Sequence, residues 1–157
     1  MRAIIISDTH GSRQKLYDVL SQLGAFDVLV HLGDGVSDTD ALRSYINADI
    51  IAVKGNNDIF SFLPESRIIE LCGHRAYCCH GHTISVRSNR SSLARLAKES
   101  GCDIALYGHT HKPADETIDG VRCLNPGSLG YPSGKRKVIE ITDTPNGVSV
   151  SFIETDV

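Results

Sequence analysis

The chain has no tryptophan and no apolar run near the ~20 residues needed to cross a bilayer, so a membrane-spanning role is not expected. Its first residues, Met1 to His10, carry no signal-peptide pattern, and a cytoplasmic location is therefore expected. Excess positive charge is also missing. A formal net charge of -3 and a pI near 6.1 exclude general nucleic-acid and membrane-surface binding from the expectations. The densest basic run, Lys135-Arg136-Lys137, reads as a solvated strand end. There is no Cys-x-x-Cys, no linker, no low-complexity tract and no internal repeat. The five cysteines, Cys72, Cys78, Cys79, Cys102 and Cys123, are odd in number and sit mostly in strand-like apolar surroundings. They read as reduced core residues. Cys78 and Cys79 are adjacent, and neighbours on a strand point to opposite faces, which disfavours a disulfide between them.

What is present is a succession of short apolar runs, each ending in a polar cluster. Ile4-Ile5-Ile6 is continuous rather than alternating, the mark of a strand covered on both faces. From Ser12 a helix is expected, with Leu16, Val19, Leu20 and Leu23 on one stripe and Gly24 as its stop. Phe26 to Leu32 is a second strand. A short helix follows, with Ser37 as cap, Asp40 three residues on, and Ala41, Leu42, Tyr45 and Ile46 as its apolar face. Ile50 to Val53 is a third strand. Strand, helix, strand, helix, strand predicts a parallel sheet with right-handed crossovers, and polar strand ends along one edge.

The pattern then changes. Arg67–Cys72 and Arg75–Cys79 predict a hairpin about Gly73-His74, and Ser88–Ser100 predicts a helix burying Leu93, Leu96 and Ala97. Asp103–Tyr107 is a strand, and Thr117–Val121 a hairpin with an Asp119-Gly120 turn. Val138–Ile141 and Val148–Ile153 close the chain as alternating strands. An α/β first half and a mostly antiparallel second half fit two face-to-face sheets with helices outside, in one domain spanning 1–157.

Five polar clusters follow the strands: Asp8-x-His10, Gly33-Asp34, Gly55-Asn56-Asn57-Asp58, His80-Gly81-His82 and Gly108-His109-Thr110-His111. Any one of them alone suits a turn, a helix cap or a surface histidine. Together they gather carboxylates and five of the seven histidines where strands end; His31 and His74 read as ordinary strand and turn residues. In an extended segment His109 and His111 leave the same face, roughly 6–7 Å apart. They can chelate one ion, or each can serve one member of a pair. Carboxylate, amide and imidazole donors suit borderline divalent ions: manganese first, with nickel, iron, cobalt or zinc as the others. Asp34 is the natural bridge, since one carboxylate has two oxygens to share. Two adjacent ions lower the pKa of a shared water and clamp the oxygens of a phosphate during in-line attack.

In their order these five clusters resemble the motifs of the calcineurin-like metallophosphoesterases, and length and the segment Asn125-Pro126-Gly127-Ser128 resemble the small bacterial and archaeal (YfcE-like) phosphodiesterase branch. The resemblance covers essentially the whole chain. It implies a four-layer αββα sandwich of two mixed sheets flanked by helices, with a dinuclear site at the strand ends. It implies Asp8, His10 and His111 on one ion, Asn56, His80 and His109 on the other, and Asp34 bridging. The activity implied is hydrolysis of a small phosphate ester, a diester foremost, by a dimetal-bridging hydroxide. A phosphomonoesterase and a non-catalytic scaffold of the same fold are the alternatives, and a homo-oligomer is compatible with any of these.

One position departs from the family pattern. Many relatives carry a histidine directly after the motif asparagine, and here it is Asn57. An amide can hydrogen-bond a phosphoryl oxygen but cannot act as a general acid. Asp58 is expected to support a ligand or its loop, and His82 is a candidate substrate contact or replacement acid, with an ordinary loop histidine as its plain alternative. Arg87 and Arg90 read as solvated charges or anion steering, and Asn125–Ser128 as a tight turn or a phosphate cradle.

Overall fold

A computed structural model describes residues 1–157. The chain runs β1 (Arg2–Ile6), α1 (Arg13–Leu23), β2 (Val28–His31), α2 (Val36–Ala41) and β3 (Asp49–Ala52). It continues through β4 (Ser66–Leu71), β5 (His74–Cys79), a single 3-10 turn at His82–Ile84, α3 (Ser91–Glu99) and β6 (Ile104–Leu106). The hairpins β7 (Ala114–Ile118)/β8 (Val121–Asn125) and β9 (Arg136–Thr144)/β10 (Gly147–Thr155) complete it. Two mixed five-stranded sheets result, ordered β10-β9-β1-β2-β3 and β4-β5-β6-β8-β7. β1, β2 and β3 are parallel, with Ile4 opposite Leu29 and Leu29 opposite Ile50, as the alternating helices predicted.

Three apolar layers hold four structural ones together. Between the sheets pack Ile5, Val30 and Ile139 from one and Cys78, Leu106 and Leu124 from the other. Outside the first sheet, Ile4, Ile6 and Leu29 meet Leu16 and Val19 of α1. Outside the second, Cys79, Ala105 and Cys123 meet Leu93, Ala94 and Ala97 of α3. This is the αββα sandwich, and it explains the continuous apolarity of β1 and β2: both faces are covered. Cys78 and Cys79 fall into different layers, and all five thiols are free. Burying each fully enclosed Leu, Ile or Val stabilises the fold by roughly 1.5–3 kcal/mol.

Several boundaries differ from expectation. α2 begins at Val36 with Gly35 before it, placing Ser37 inside the helix instead of at its cap, and it ends at Ala41. The physical reason lies 22 residues downstream: Asp58 Oδ1 accepts the backbone N–H groups of Gly35 and Val36, at 2.9 and 3.1 Å, and does the work of a cap from across the fold. Tyr45 therefore stays exposed, its ring edge-on to Tyr17, instead of joining an apolar face. α3 begins at Ser91, not Ser88, because the Asn89 side chain accepts the Ser91 N–H at 2.7 Å; Ala94 takes the buried place expected of Leu96. His74 is in β5, so the first hairpin turns on Cys72-Gly73, both with positive φ.

Candidate metal centre

The ends of β1, β2, β3, β5 and β6 meet on one side of the sandwich. Glycine lets them come close: a Cβ at Gly55 would collide with the carboxylate and backbone of Asp34, and one at Gly108 with Ser7 and Asp8. Five residues there hold left-handed backbone angles uncommon outside glycine: Asp8 (φ 54°), His10 (48°), Asp34 (59°), His109 (64°) and His111 (61°). Strain of this kind, of order 1–3 kcal/mol per residue, concentrates at functional sites. Here it falls on five of the seven expected ligands.

Asp8 and Asp34 form the floor, 0% and 2% exposed. Asp8 is fixed through Oδ2, which accepts from Ser7 Oγ (2.6 Å) and the His109 N–H (3.1 Å). Its other oxygen, Oδ1, accepts no hydrogen bond. Three imidazole nitrogens face that oxygen: His111 Nε2 at 3.1 Å, His10 Nε2 at 3.6 Å and His80 Nε2 at 3.9 Å. His80 is wholly buried, and its Nδ1 lies 2.7 Å from the Leu32 carbonyl, which can only accept. That contact fixes a proton on Nδ1 and leaves Nε2 aimed at the carboxylates without a hydrogen-bond partner. Asp34 Oδ2 stands 3.4 Å from the same Nε2 and 3.9 Å from His10 Nε2.

The donors thus fall into two groups that share Asp8: Asp8, His10 and His111, and Asp8, Asp34 and His80. Orphaned, buried donor atoms converging in two neighbouring groups fit a pair of divalent ions, and the oxygen and nitrogen donor set fits the borderline metals. His109 stacks edge-on against His80 with ring centroids 5.0 Å apart. Asn56 is exposed and makes no side-chain hydrogen bond. The amide that reaches the floor is that of Asn57: its Nδ2 donates to Asp34 Oδ2 at 2.6 Å and its backbone N–H to Oδ1 at 2.8 Å. Of the expected metal ligands, Asp8, His10, Asp34, His80 and His111 fall in these two groups of carboxylates and imidazoles, and His109 does not.

Charge at the floor follows from this packing. Burial alone would raise the Asp34 carboxyl, but His80 and the two Asn57 donors outweigh it and hold it far below the usual carboxylate range. Burial likewise opposes ionisation of Asp8, and His10, His80 and Ser7 bring it below its ordinary value. His10 is raised, first by its contact with Asp8, while burial and the neighbouring His80 push His109 down to about 4.

Asp58 and His82 take different parts. Asp58 accepts four backbone N–H groups: Asp34 and Gly55 on Oδ2, both at 2.8 Å, and Gly35 and Val36 on Oδ1. It ties the loop after β2 to the loop after β3 and touches no other donor atom of the floor. His82 sits beside His80 and His109, ring centroids 5.5 and 6.2 Å away, with a buried Nδ1 that has no partner. Asn125 Oδ1 accepts the Gly127 N–H while its Nδ2 donates to the Gly108 carbonyl, and Ser128 Oγ donates to the Asp8 carbonyl. That segment is a turn bracing the strand ends. Other supports escaped the sequence reading. His31 is fully buried, its Nε2 3.1 Å from Thr9 Oγ1 and its Nδ1 accepting the Gly33 N–H; burial pushes it down to about 4. Asp38, buried in α2, accepts from Thr9 Oγ1 and the Gly11 N–H. The position of His31, just before Gly33-Asp34, was the available signal; nothing local marked Asp38. Beside the floor, a cavity of about 610 Å³ extends from Asn57 and Asp58 between α2 and the 59–63 loop.

A sandwich whose strand ends cage two carboxylates among histidines defines a metal-binding hydrolase scaffold. The model of the calcineurin-like phosphoesterase superfamily domain matches residues 1–147, and the chain belongs to that family. The probable metallophosphoesterase MJ0623 of Methanocaldococcus jannaschii is 36% identical over 137 residues, covering 82% of this chain and 68% of the relative. Phosphodiesterase MJ0936 of the same organism is 30% identical over 154 residues (85% and 88% covered). Vacuolar protein sorting-associated protein 29 of Schizosaccharomyces pombe is 31% identical over 164 residues (100% and 85%). Among solved structures, a predicted phosphoesterase from Streptococcus pneumoniae superposes with a TM-score of 0.79 at 27% identity, covering 98% of this chain and 88% of its own.

Proposed function

We propose that the chain is a phosphodiesterase that works with two divalent ions, manganese foremost, on small phosphate esters in the cytoplasm. The observation that carries this reading is the convergence of unpartnered Asp8 Oδ1 and His80 Nε2, ringed by His10, His111 and Asp34. Asp8, His10 and His111 would hold one ion, and Asp8, Asp34 and His80 would contribute to the other. When bound, the ions supply Lewis acidity toward the phosphoryl oxygens and an activated water.

The chain's own groups then decide which esters react. Asn57 presents the amide closest to the floor, and an amide donates a hydrogen bond without giving up a proton. A leaving group that departs without protonation must already be acidic. Aryl diesters should therefore outrun alkyl esters by roughly 10²–10⁴-fold, the usual share of a general acid. Comparing bis(p-nitrophenyl) phosphate with a dialkyl phosphate diester, and with an alkyl monoester, measures this. Equal rates on all three in the wild type and in His82→Ala would defeat the diesterase reading.

The similarity to a vacuolar protein sorting-associated protein supports a second reading, a non-catalytic binding module. Metal analysis separates the two. About two ions per chain together with ester hydrolysis supports the enzyme, and an ion-free, inert protein supports the module.

A further inference from the structure

A second cavity, of about 410 Å³, lies at the second sheet, and its wall residues Thr110 and Lys112 flank the expected ligands His109 and His111 in the chain. Three of its wall residues are cations, Arg87, Arg90 and Lys112, against one carboxylate, Glu116. Glu116 is already engaged by Arg90 at 2.8 Å. Arg87 is anchored, its Nε and Nη2 donating to the His109 carbonyl at 3.3 and 3.0 Å; its Nη1 makes no hydrogen bond. The Lys112 ammonium has no acidic partner, although its backbone N–H is tied to Thr110 Oγ1. Tyr107 is 1% exposed, and its hydroxyl, on the cavity wall, makes no hydrogen bond within the protein. In a chain of net charge -3, this cavity gathers local positive charge with spare donors beside the segment that carries the expected ligands His109 and His111.

From this arrangement we infer that the cavity is a second anion subsite, seating a phosphate of the substrate other than the one hydrolysed. The inference rests on the phosphoesterase reading and narrows it to substrates with two anionic groups, such as a nucleoside bisphosphate ester. One unpaired lysine and two anchored arginines match one small anion; a long polyanion would need a basic stripe, which the chain lacks.

The test compares matched probes in binding and in turnover. Thymidine 3′,5′-bisphosphate and thymidine 5′-monophosphate are titrated calorimetrically into the wild type, Lys112→Ala and Lys112→Glu. Thymidine 5′-(p-nitrophenyl phosphate), with and without a 3′-phosphate, supplies the rates. Lys112 is exposed and its side chain makes no bond, so the substitutions leave the fold intact. The extra phosphate should tighten Kd and lower KM about tenfold or more in the wild type, as a charge-assisted contact does. That advantage should shrink in Lys112→Ala and vanish in Lys112→Glu. Equal affinity for the two nucleotides, an advantage unchanged in Lys112→Glu, or tighter binding of a single-stranded oligonucleotide than of the bisphosphate would each overturn the subsite. Preference for the bisphosphate without hydrolysis of either ester would leave the subsite standing and remove the esterase.

Discussion

The floor of the metal centre and its rim are built on opposite principles. At the floor, Asp8, Asp34 and His80 are at most 2% exposed, and each is held by contacts from other strand ends. At the rim, the segment after Asp58 runs Ile59-Phe60-Ser61-Phe62, with Ile59 79%, Phe60 94% and Phe62 105% exposed. The floor is over-determined: left-handed backbone angles and orphaned donor atoms persist only because surrounding structure enforces them. The rim is under-determined, its large side chains meeting water. The unpartnered donor atoms thus belong to the constrained part, and the exposed apolar side chains to the other.

The sharpest way to break this contrast is to remove a floor carboxylate. Asp8→Ala deletes the one residue common to both donor groups. Metal content should fall from about two ions to fewer than one, and hydrolysis of bis(p-nitrophenyl) phosphate by at least ~10²-fold, since even supporting residues around metal sites cost 10–100-fold. Undiminished metal content in Asp8→Ala would show that the donors do not act as one cage.

Next in size is the clamp joining floor and rim. Asp58→Ala strands four backbone N–H groups at once, those of Asp34, Gly35, Val36 and Gly55. Each lost bond is worth about 1 kcal/mol, and the partly buried donors cannot all be rehydrated, so roughly 3 kcal/mol of stability should go. Urea unfolding measures it. Asp58→Asn, which keeps one acceptor oxygen, should lose about half as much; an equal loss would mean that charge at Asp58, not its hydrogen bonding, carries the effect.

The same contrast explains what was legible in the sequence. Ile4-Ile5-Ile6 and Val28-Leu29-Val30 announce doubly covered strands because burial on both faces leaves only apolar choices. Expected ligands that stand within three residues of a strand end, such as Asp8, Asp34 and His80, are equally visible, since the strand ends position them. The start of α2 was not legible, because its capping carboxylate belongs to Asp58 and arrives through tertiary structure. Nor was the contact of Asn57 with Asp34. Adjacent asparagines are alike in chemistry, and only the backbone path after Gly55 decides which amide reaches Asp34. His31 looked like an ordinary strand residue, for its role lies in Thr9 and Gly33, contacts that no periodicity encodes.

The smallest expected effect lies at the rim and sharpens the comparison from the other side. Phe60 and Phe62 bury almost nothing, so replacing them by serine removes little apolar contact from the folded state. Substitutions at such positions usually stay within about 0.5 kcal/mol. Phe60→Ser and Phe62→Ser should therefore leave the urea midpoint nearly unchanged, against the roughly 3 kcal/mol of Asp58→Ala, two and four residues away. Because ionic contacts at the floor are independent of these rings, metal content should stay at the wild-type value as well. A loss above about 1 kcal/mol for either serine variant would show that the loop packs down in solution and shares the rigidity of the floor.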